Sequence, residues 1–113
     1  MVSDRIPDLS DDADLAIFRA VQEGLSNVSR HAGARSATVA LAVEERDVVL
    51  RIRDDGRGLP AGERVEEFER RGHMGLAGMR QRIGALSGSV VLGSLSGGGA
   101  ELVVRVPVEG ERP

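Results

Sequence analysis

The order of apolar and polar residues along the chain predicts two helices. From Asp12 the apolar residues recur at steps of three and four, which is the period of an amphipathic helix, and Gly33 suits its end. We expect its apolar residues to face the core: Leu15, Phe18, Val21, Leu25, Val28 and Ala32. A second helix is predicted from Gly75 to Ser87 and closed by Gly88. Its apolar positions are Leu76, Met79, Ile83 and Leu86.

Alternating patterns predict four strands. SATVALAVE puts Ala37, Val39, Leu41 and Val43 on one face, and a polar turn from Glu44 to Asp47 joins it to VVLRIRDDG, so the two form a hairpin. SVVLGS and AELVVRVPV, joined by LSGGG, form a second hairpin. The charged stretch 59–74 has no sustained period and is expected to be a long functional loop.

This order of elements predicts an α+β sandwich with a mixed, antiparallel-rich sheet and helices packed on one face. Residues 1–11 are expected to be a lead-in segment or a truncated first strand, residues 12–108 the domain, and residues 109–113 a tail.

Composition removes several classes of function. The 113 residues carry a net charge of −3, with fifteen arginines, no lysine, no cysteine and two aromatic residues. Chemistry that needs a lysine or a thiol is therefore excluded, and nucleic acid is not an expected partner because neither a basic surface nor a stacking platform is present. No apolar run approaches the length of a membrane-spanning helix, so we expect a cytoplasmic domain, whose parent protein can still be membrane-anchored.

Strand parity singles out Asp54 as a candidate binding residue. Val48, Leu50 and Ile52 share a face of their strand, and Asp54 is the next position on it. An ionised carboxylate on a core-facing side needs hydrogen-bond donors, which a ligand such as adenine, through its exocyclic amine, could supply. The alternative is that DDGRG is an Asp–Gly turn that ends the strand at an exposed rim.

Polar residues spaced by four form a stripe on the first predicted helix. Glu23, Asn27 and His31 share this stripe, with Arg30 beside it, and Asn27 is the one asparagine of the chain. Glu23 could orient or deprotonate a water or hydroxyl, and the Asn27 amide oxygen could ligate Mg²⁺, which takes few protein ligands. The alternative is an ordinary solvated helix face.

Glycines surround the start of the second predicted helix. In GHMGLAGM, Gly72, Gly75 and Gly78 would let backbone N–H groups approach a phosphate at a helix N-terminus, so an anion could be held without lysine. The alternative is a glycine-rich loop that needs positive φ angles. The glycines at 97–99, taken alone, predict a hairpin turn.

Four motifs, taken together and in order, resemble those of the GHKL ATPase superfamily, which has the Bergerat α/β sandwich. They are QEGLSN, DDGRG, GLAGMRQR and GGGAELVVRVP. FRAVQEGLSNVSRHA and GLAGMRQRI are most similar to the ATP-binding catalytic domain of bacterial sensor histidine kinases that pair with NarL-type response regulators. The resemblance covers roughly residues 14–107. Two positions depart from it: His73 stands where many relatives have glycine, and Ala100 where many have Thr or Ser.

The resemblance implies ATP and Mg²⁺ as ligands and a role for each matching residue. Asn27 would ligate magnesium and Glu23 would position or activate the reacting group. Arg30 would contact phosphate, and His31 would lie near the nucleotide. Asp54 would accept the adenine amine, and Gly56 and Gly58 would let the base approach the backbone. Residues 59–74 would be the ATP lid, with Gly72 at its end, and Gly75, Leu76 and Gly78 would form its hinge and triphosphate cradle.

The resemblance also implies partners. A sensor kinase transfers the γ-phosphoryl group to a histidine on a separate dimerisation domain, for which neither His31 nor His73 is a convincing candidate. We expect the chain alone to be monomeric. The alternatives are an anti-sigma-factor serine kinase, and a degenerate, non-catalytic interaction domain of the same fold.

Overall fold

The computed structural model describes residues 2–3, 9–27, 35–56 and 74–108. Within them lie two helices, α1 (Asp11–Asn27) and α2 (Met74–Gly84), and five strands. The strands are β1 (Val2–Ser3), β2 (Ala37–Glu44), β3 (Asp47–Asp54), β4 (Ser89–Ser94) and β5 (Ala100–Pro107). Four predicted site residues lie outside the described residues: Arg30, His31, Gly58 and Gly72.

The strands form one mixed sheet in the order β1-β2-β3-β5-β4. The β1–β2 pair is parallel and every other pair is antiparallel. Both helices contribute to a single hydrophobic core against one face of this sheet. The predicted α+β sandwich is therefore confirmed. Met74 was predicted to belong to the loop at 59–74 but is the first residue of α2. Residues 59–73 of that predicted loop lie outside the described residues.

The β2–β3 hairpin places Asp54 on the last rung of its ladder. Glu45 and Arg46 form the turn, with φ angles of 52° and 73°, a left-handed pair typical of two-residue hairpin turns. From there the register runs from Glu44 opposite Asp47 to Ala37 opposite Asp54. The arrangement matches the predicted polar turn between the two strands.

The core-facing side of β3 is the one predicted from parity. Val48, Leu50 and Ile52 are at most 2% exposed, and Asp54 follows them at 9%. Apolar residues of β5 and α2 complete the same core: Leu76, Met79, Ile83, Leu102, Val104 and Val106. On β2 two residues of the predicted face, Val39 and Leu41, pack against the core, whereas Ala37 and Val43 are exposed.

The core-facing side of α1 was predicted correctly for Val21, which packs against the core, but wrongly for three larger residues. Leu15, Phe18 and Leu25 are 50%, 59% and 39% exposed, whereas the buried residues are small or lie between them. The buried residues are Ala13, Ala16, Ile17, Ala20 and Gly24. Small side chains let the helix axis approach the sheet closely, and this orientation leaves Leu15, Phe18 and Leu25 exposed. Val28 and Ala32 lie outside the described residues.

The start of α1 has its own cap. Ser10 precedes the first helical residue, and its Oγ accepts a hydrogen bond from the N–H of Ala13 at 3.1 Å. Three acidic residues in the first turn, Asp11, Asp12 and Asp14, suit the positive end of the helix dipole.

The second helix ends earlier than predicted. It stops at Gly84, and residues 85–87 form a turn in which Ser87 adopts a left-handed φ of 63°. The N–H of Gly88 donates to the Ile83 carbonyl and the N–H of Ser87 to the Gly84 carbonyl, which is the Schellman pattern. Gly88 cannot be replaced easily, because a Cβ there would overlap the carbonyl oxygen of Arg105.

Charged side chains cover part of the sheet face opposite the helices. The Arg51 guanidinium donates two hydrogen bonds, of 2.6 and 3.1 Å, to the two carboxylate oxygens of Glu44, and Arg105 contacts Glu44 at 3.3 Å. The bond from Arg51 is the main cause that lowers the pKa of Glu44. This face therefore carries balanced charges rather than a single-sign patch.

Candidate functional site

Asp54 is the one buried charged side chain among the described residues. Its Oδ1 accepts a hydrogen bond from the N–H of Gly56 at 2.8 Å, so it closes an Asp–Gly turn and also faces the core side of the sheet. DDGRG therefore contains the Asp–Gly turn of the alternative interpretation, but the Asp54 carboxylate is buried and does not lie at an exposed rim. A carboxylate can accept about four hydrogen bonds, and the described residues supply one of them. The group retains acceptor capacity for the donor of a ligand.

The backbone of Asp54 is approached closely by the β4–β5 turn. Gly98 and Gly99 have φ angles of 103° and 93°, and a Cβ on Gly99 would overlap the carbonyl oxygen of Asp54. Glycine is required at position 99 both for its backbone conformation and for this contact. Ala100 lies one position beyond the Arg53–Glu101 pair and so beside Asp54. The turn predicted from LSGGG is confirmed, but the close contact of Gly99 with the backbone of Asp54 was not predicted.

The adjacent carboxylate, Asp55, binds the segment that leads into β2. Its Oδ1 accepts the N–H groups of Arg35 and Ser36 at 2.8 and 3.0 Å, and its Oδ2 accepts the Ser36 hydroxyl at 3.1 Å. These bonds, first that of the Ser36 N–H and then that of Arg35, lower the pKa of Asp55. The two successive aspartates therefore have different partners and different environments.

The C-terminal half of α1 lies against the sheet near Asp54. A Cβ on Gly24 would come within 2.5 Å of Ile52 Cδ1, and Ile52 is two positions before Asp54 on the same strand face. Glu23 is the half-buried neighbour of Gly24, and Asn27, the last residue of α1, is one turn further on. The fold therefore brings the predicted Glu23–Asn27 stripe and the predicted Asp54 site to the same region. The Asn27 side chain is not among the described ones.

The predicted cradle residues lie at the start of α2. Gly75 is the second residue of the helix, where backbone N–H groups lack partners within the helix. Leu76 is 1% exposed and packs in the core with Met79 and Ile83, so its backbone, not its side chain, is what it could offer a phosphate. Gly78 is half-buried beside the Arg82 guanidinium, 3.2 Å from where a Cβ would be.

The predicted Mg²⁺ ligand, Asn27, is the last residue of α1, and Glu23, predicted to position or activate the reacting group, lies one helical turn before it. Mg²⁺ commonly takes one or two protein ligands beside phosphates and waters. Among the described residues, no group of three His, Cys, Asp or Glu side chains could hold a metal alone. A single amide ligand such as Asn27 suits an ion whose other ligands are phosphates and waters.

Comparison with known proteins gives the family. Residues 12–110 match the model of the histidine kinase-, DNA gyrase B-, and HSP90-like ATPases. The chain belongs to this family, and the resemblance inferred from its four motifs is confirmed.

Individual relatives are sensor kinases. The histidine-protein kinase/phosphatase UhpB of Salmonella typhimurium is 37% identical over 89 residues, 79% of this chain but 17% of UhpB. DegS of Bacillus subtilis is 32% identical over 95 residues, 84% of this chain and 24% of DegS. The match thus spans less than a quarter of either curated relative.

A solved structure of similar extent is the ATP-binding domain of PrrB from Mycobacterium tuberculosis. It is 30% identical with a TM-score of 0.68, over 96% of this chain and 80% of that one. The chain is therefore similar to a histidine-kinase ATP-binding domain over nearly its whole length. Within the part of the chain that the structure describes, no helix is long and apolar enough to cross a membrane.

Proposed function

We propose that this domain binds Mg-ATP and supplies the γ-phosphoryl group for autophosphorylation of a histidine on a separate dimerisation domain. The observation that carries the proposal is the buried Asp54 carboxylate, at the end of β3 and on the core-facing side of the sheet. Its acceptor capacity beyond the one bond that the described residues supply suits the exocyclic amine of adenine. Gly56 and Gly58 are proposed to let the base approach the backbone.

The second part of the proposal concerns the phosphates. Asn27 ligates Mg²⁺, Glu23 positions or activates the reacting group, Arg30 contacts phosphate, and His31 lies near the nucleotide. Bound Mg²⁺ would neutralise charge on the phosphate oxygens. The position of Gly24 against Ile52 supports this assignment, because it brings this end of α1 to the strand that carries Asp54.

The glycine-rich segment completes the proposed site. Gly72, Gly75, Leu76 and Gly78 form the hinge and the triphosphate cradle, residues 59–74 act as the lid, and the domain occupies residues 12–108. The first turn of α2 supports this role, because its free N–H groups and helix dipole favour an anion.

The proposed partners follow from the transfer reaction, which needs a histidine as acceptor. Phosphoryl transfer depends on positioning, so the domain alone should transfer phosphate poorly until the dimerisation domain of its parent kinase presents a histidine. A NarL-type response regulator in the cytoplasm is the proposed downstream partner. The domain itself is proposed to be monomeric, and a dimer that persists on dilution in light scattering would contradict this.

Calorimetric titration tests the nucleotide site. ADP and a non-hydrolysable ATP analogue would be titrated, with and without Mg²⁺, into the wild type, Asp54→Ala and the control Asp47→Ala at the opposite end of β3. We expect magnesium-strengthened binding that Asp54→Ala weakens by about 10- to 100-fold, the range for a hydrogen bond to a charged group, while Asp47→Ala binds normally. Absence of binding by folded wild type would instead favour the degenerate, non-catalytic domain.

A further inference from the structure

The Asp55 carboxylate makes long-range contacts that an ordinary Asp–Gly turn does not need. Its three hydrogen bonds come from Arg35 and Ser36, 20 and 19 residues earlier in the chain. The contact is reciprocal, because the N–H of Asp55 donates to the Ser36 carbonyl at 3.4 Å. An aspartate in a turn usually bonds its own backbone two residues on, as Asp54 does with Gly56. Asp55 therefore joins two separate segments.

These contacts lie immediately past the end of the β2–β3 ladder. The last rung pairs Ala37 with Asp54, and terminal rungs of a hairpin open most easily. The Asp55–Ser36 contact adds hydrogen bonds one residue beyond that rung. On the other side, Gly99 packs against the Asp54 carbonyl. The backbone that carries the Asp54 side chain is thus held on one side by the bonds between Asp55 and the segment that leads into β2, and on the other by Gly99 of the β4–β5 turn.

We propose that Asp55, through its contact with Ser36, is a positioning residue that fixes the direction of the Asp54 carboxylate for adenine recognition. This inference rests on the proposed nucleotide-binding function. The two side chains alternate across the strand, so Asp55 stays exposed and acts on the ligand only through Asp54. Small displacements of a group that must meet a donor at hydrogen-bond distance weaken binding steeply.

The test measures base discrimination together with affinity. ADP and purine riboside 5′-diphosphate, which lacks the exocyclic amine, would be titrated into the wild type, Asp54→Ala, Asp55→Ala, Asp55→Asn and Ser36→Ala. Asp47→Ala is the matched control, since it removes a carboxylate from the other end of the same strand. Urea denaturation followed by circular dichroism would give the stability of each variant.

We expect Asp55→Ala to bind ADP about tenfold more weakly and to lose most of its preference for ADP, by analogy with residues that orient a ligand-binding group. Asp55→Asn should stay within about twofold of wild type, because its amide oxygen still accepts both N–H groups. Ser36→Ala, which loses one bond, should fall between them. Because it leaves both backbone bonds to Asp55 in place, it tests the inference even where Asp55→Ala fails to fold.

The outcomes separate the two hypotheses. If the wild type and Asp54→Ala treat both nucleotides alike, the proposed adenine site is wrong and the positioning role is wrong with it. If the wild type prefers ADP and folded Asp55→Ala and Ser36→Ala keep the same affinity and preference, only the positioning role is refuted. Lower stability with unchanged base preference would likewise mean that Asp55 is merely structural.

Discussion

Substitution of alanine along the glycine run at 97–99 tests how the β4–β5 turn supports the site. The three positions differ in a graded way: a Cβ at Gly97 or Gly98 meets nothing within 4 Å, but Gly98 has a φ of +103°. Gly99 combines a φ of +93° with an overlap between the added Cβ and the Asp54 carbonyl oxygen. The series therefore separates backbone strain from steric contact.

The expected costs follow from these two terms. Gly97→Ala should be neutral or stabilise by up to about 1 kcal/mol, because alanine reduces the entropy of the unfolded chain. Gly98→Ala should cost about 1 kcal/mol, since strain of about 1–2 kcal/mol is partly offset by that same gain. Gly99→Ala adds an overpacking term of about 1–3 kcal/mol and should cost about 3 kcal/mol in all.

Urea denaturation followed by circular dichroism measures these differences, since the chain has no Trp or Tyr. ADP binding by the folded variants gives a second readout, because relief of the overlap must move the backbone of Asp54. We expect Gly99→Ala to bind more weakly than Gly98→Ala. Equal stability and equal affinity of these two variants would refute the close contact between the turn and Asp54.

Two further predictions concern stability. Phe18→Ala should lower the free energy of unfolding by less than about 1 kcal/mol, because the side chain is 59% exposed. Ile83→Ala should lower it by about 2–5 kcal/mol, because Ile83 is 0% exposed. Equal losses of stability in urea denaturation would support the original prediction that Phe18 faces the core. The pKa values of Asp55 and Glu44 are lowered by their hydrogen-bond partners. The stability that these carboxylates contribute is therefore complete above their ordinary pKa values of 3.8 and 4.5, and it is lost as the pH falls through their lowered pKa values. The urea midpoint should therefore be flat near pH 6 and decline below about pH 4.5, and less steeply in Asp55→Asn; identical slopes for the wild type and this variant would contradict the assignment.

Sequence reasoning succeeded where a local rule determines the outcome. The period of two in β3 is enforced by strand geometry, so it gave both the buried face and the inward direction of Asp54. The period of α2 was equally informative, since Leu76, Met79 and Ile83 are all buried. Its end was misjudged because Ser87 takes the left-handed conformation that glycine usually adopts.

The errors concern contacts between distant segments. In α1 the large apolar residues formed a good helical stripe, but the helix turns its small side to the sheet. Gly24 allows that approach because it lies against Ile52, and this requirement is visible only in three dimensions. The glycine is visible in the motif QEGLSN, but the sequence does not show that it is needed for contact with the sheet. Similarly, Gly99 was predicted to be a turn residue. Its contact with Asp54 was not predictable, because it depends on the register of β3 and β5.

The most direct test of the nucleotide site is a ¹H–¹⁵N correlation spectrum of the domain recorded during titration with Mg-ADP. We predict the largest shifts at the amides around the Asp54 carboxylate, namely Asp54, Gly56, Gly99 and Ala100. The amides of Glu45 and Arg46, in the turn at the far end of the hairpin, should not move. Saturable shifts in the first group, without shifts of Glu45 and Arg46, would support adenine binding at Asp54. Shifts confined to the hairpin turn or to the charged outer face of the sheet, or no shifts at all, would contradict it.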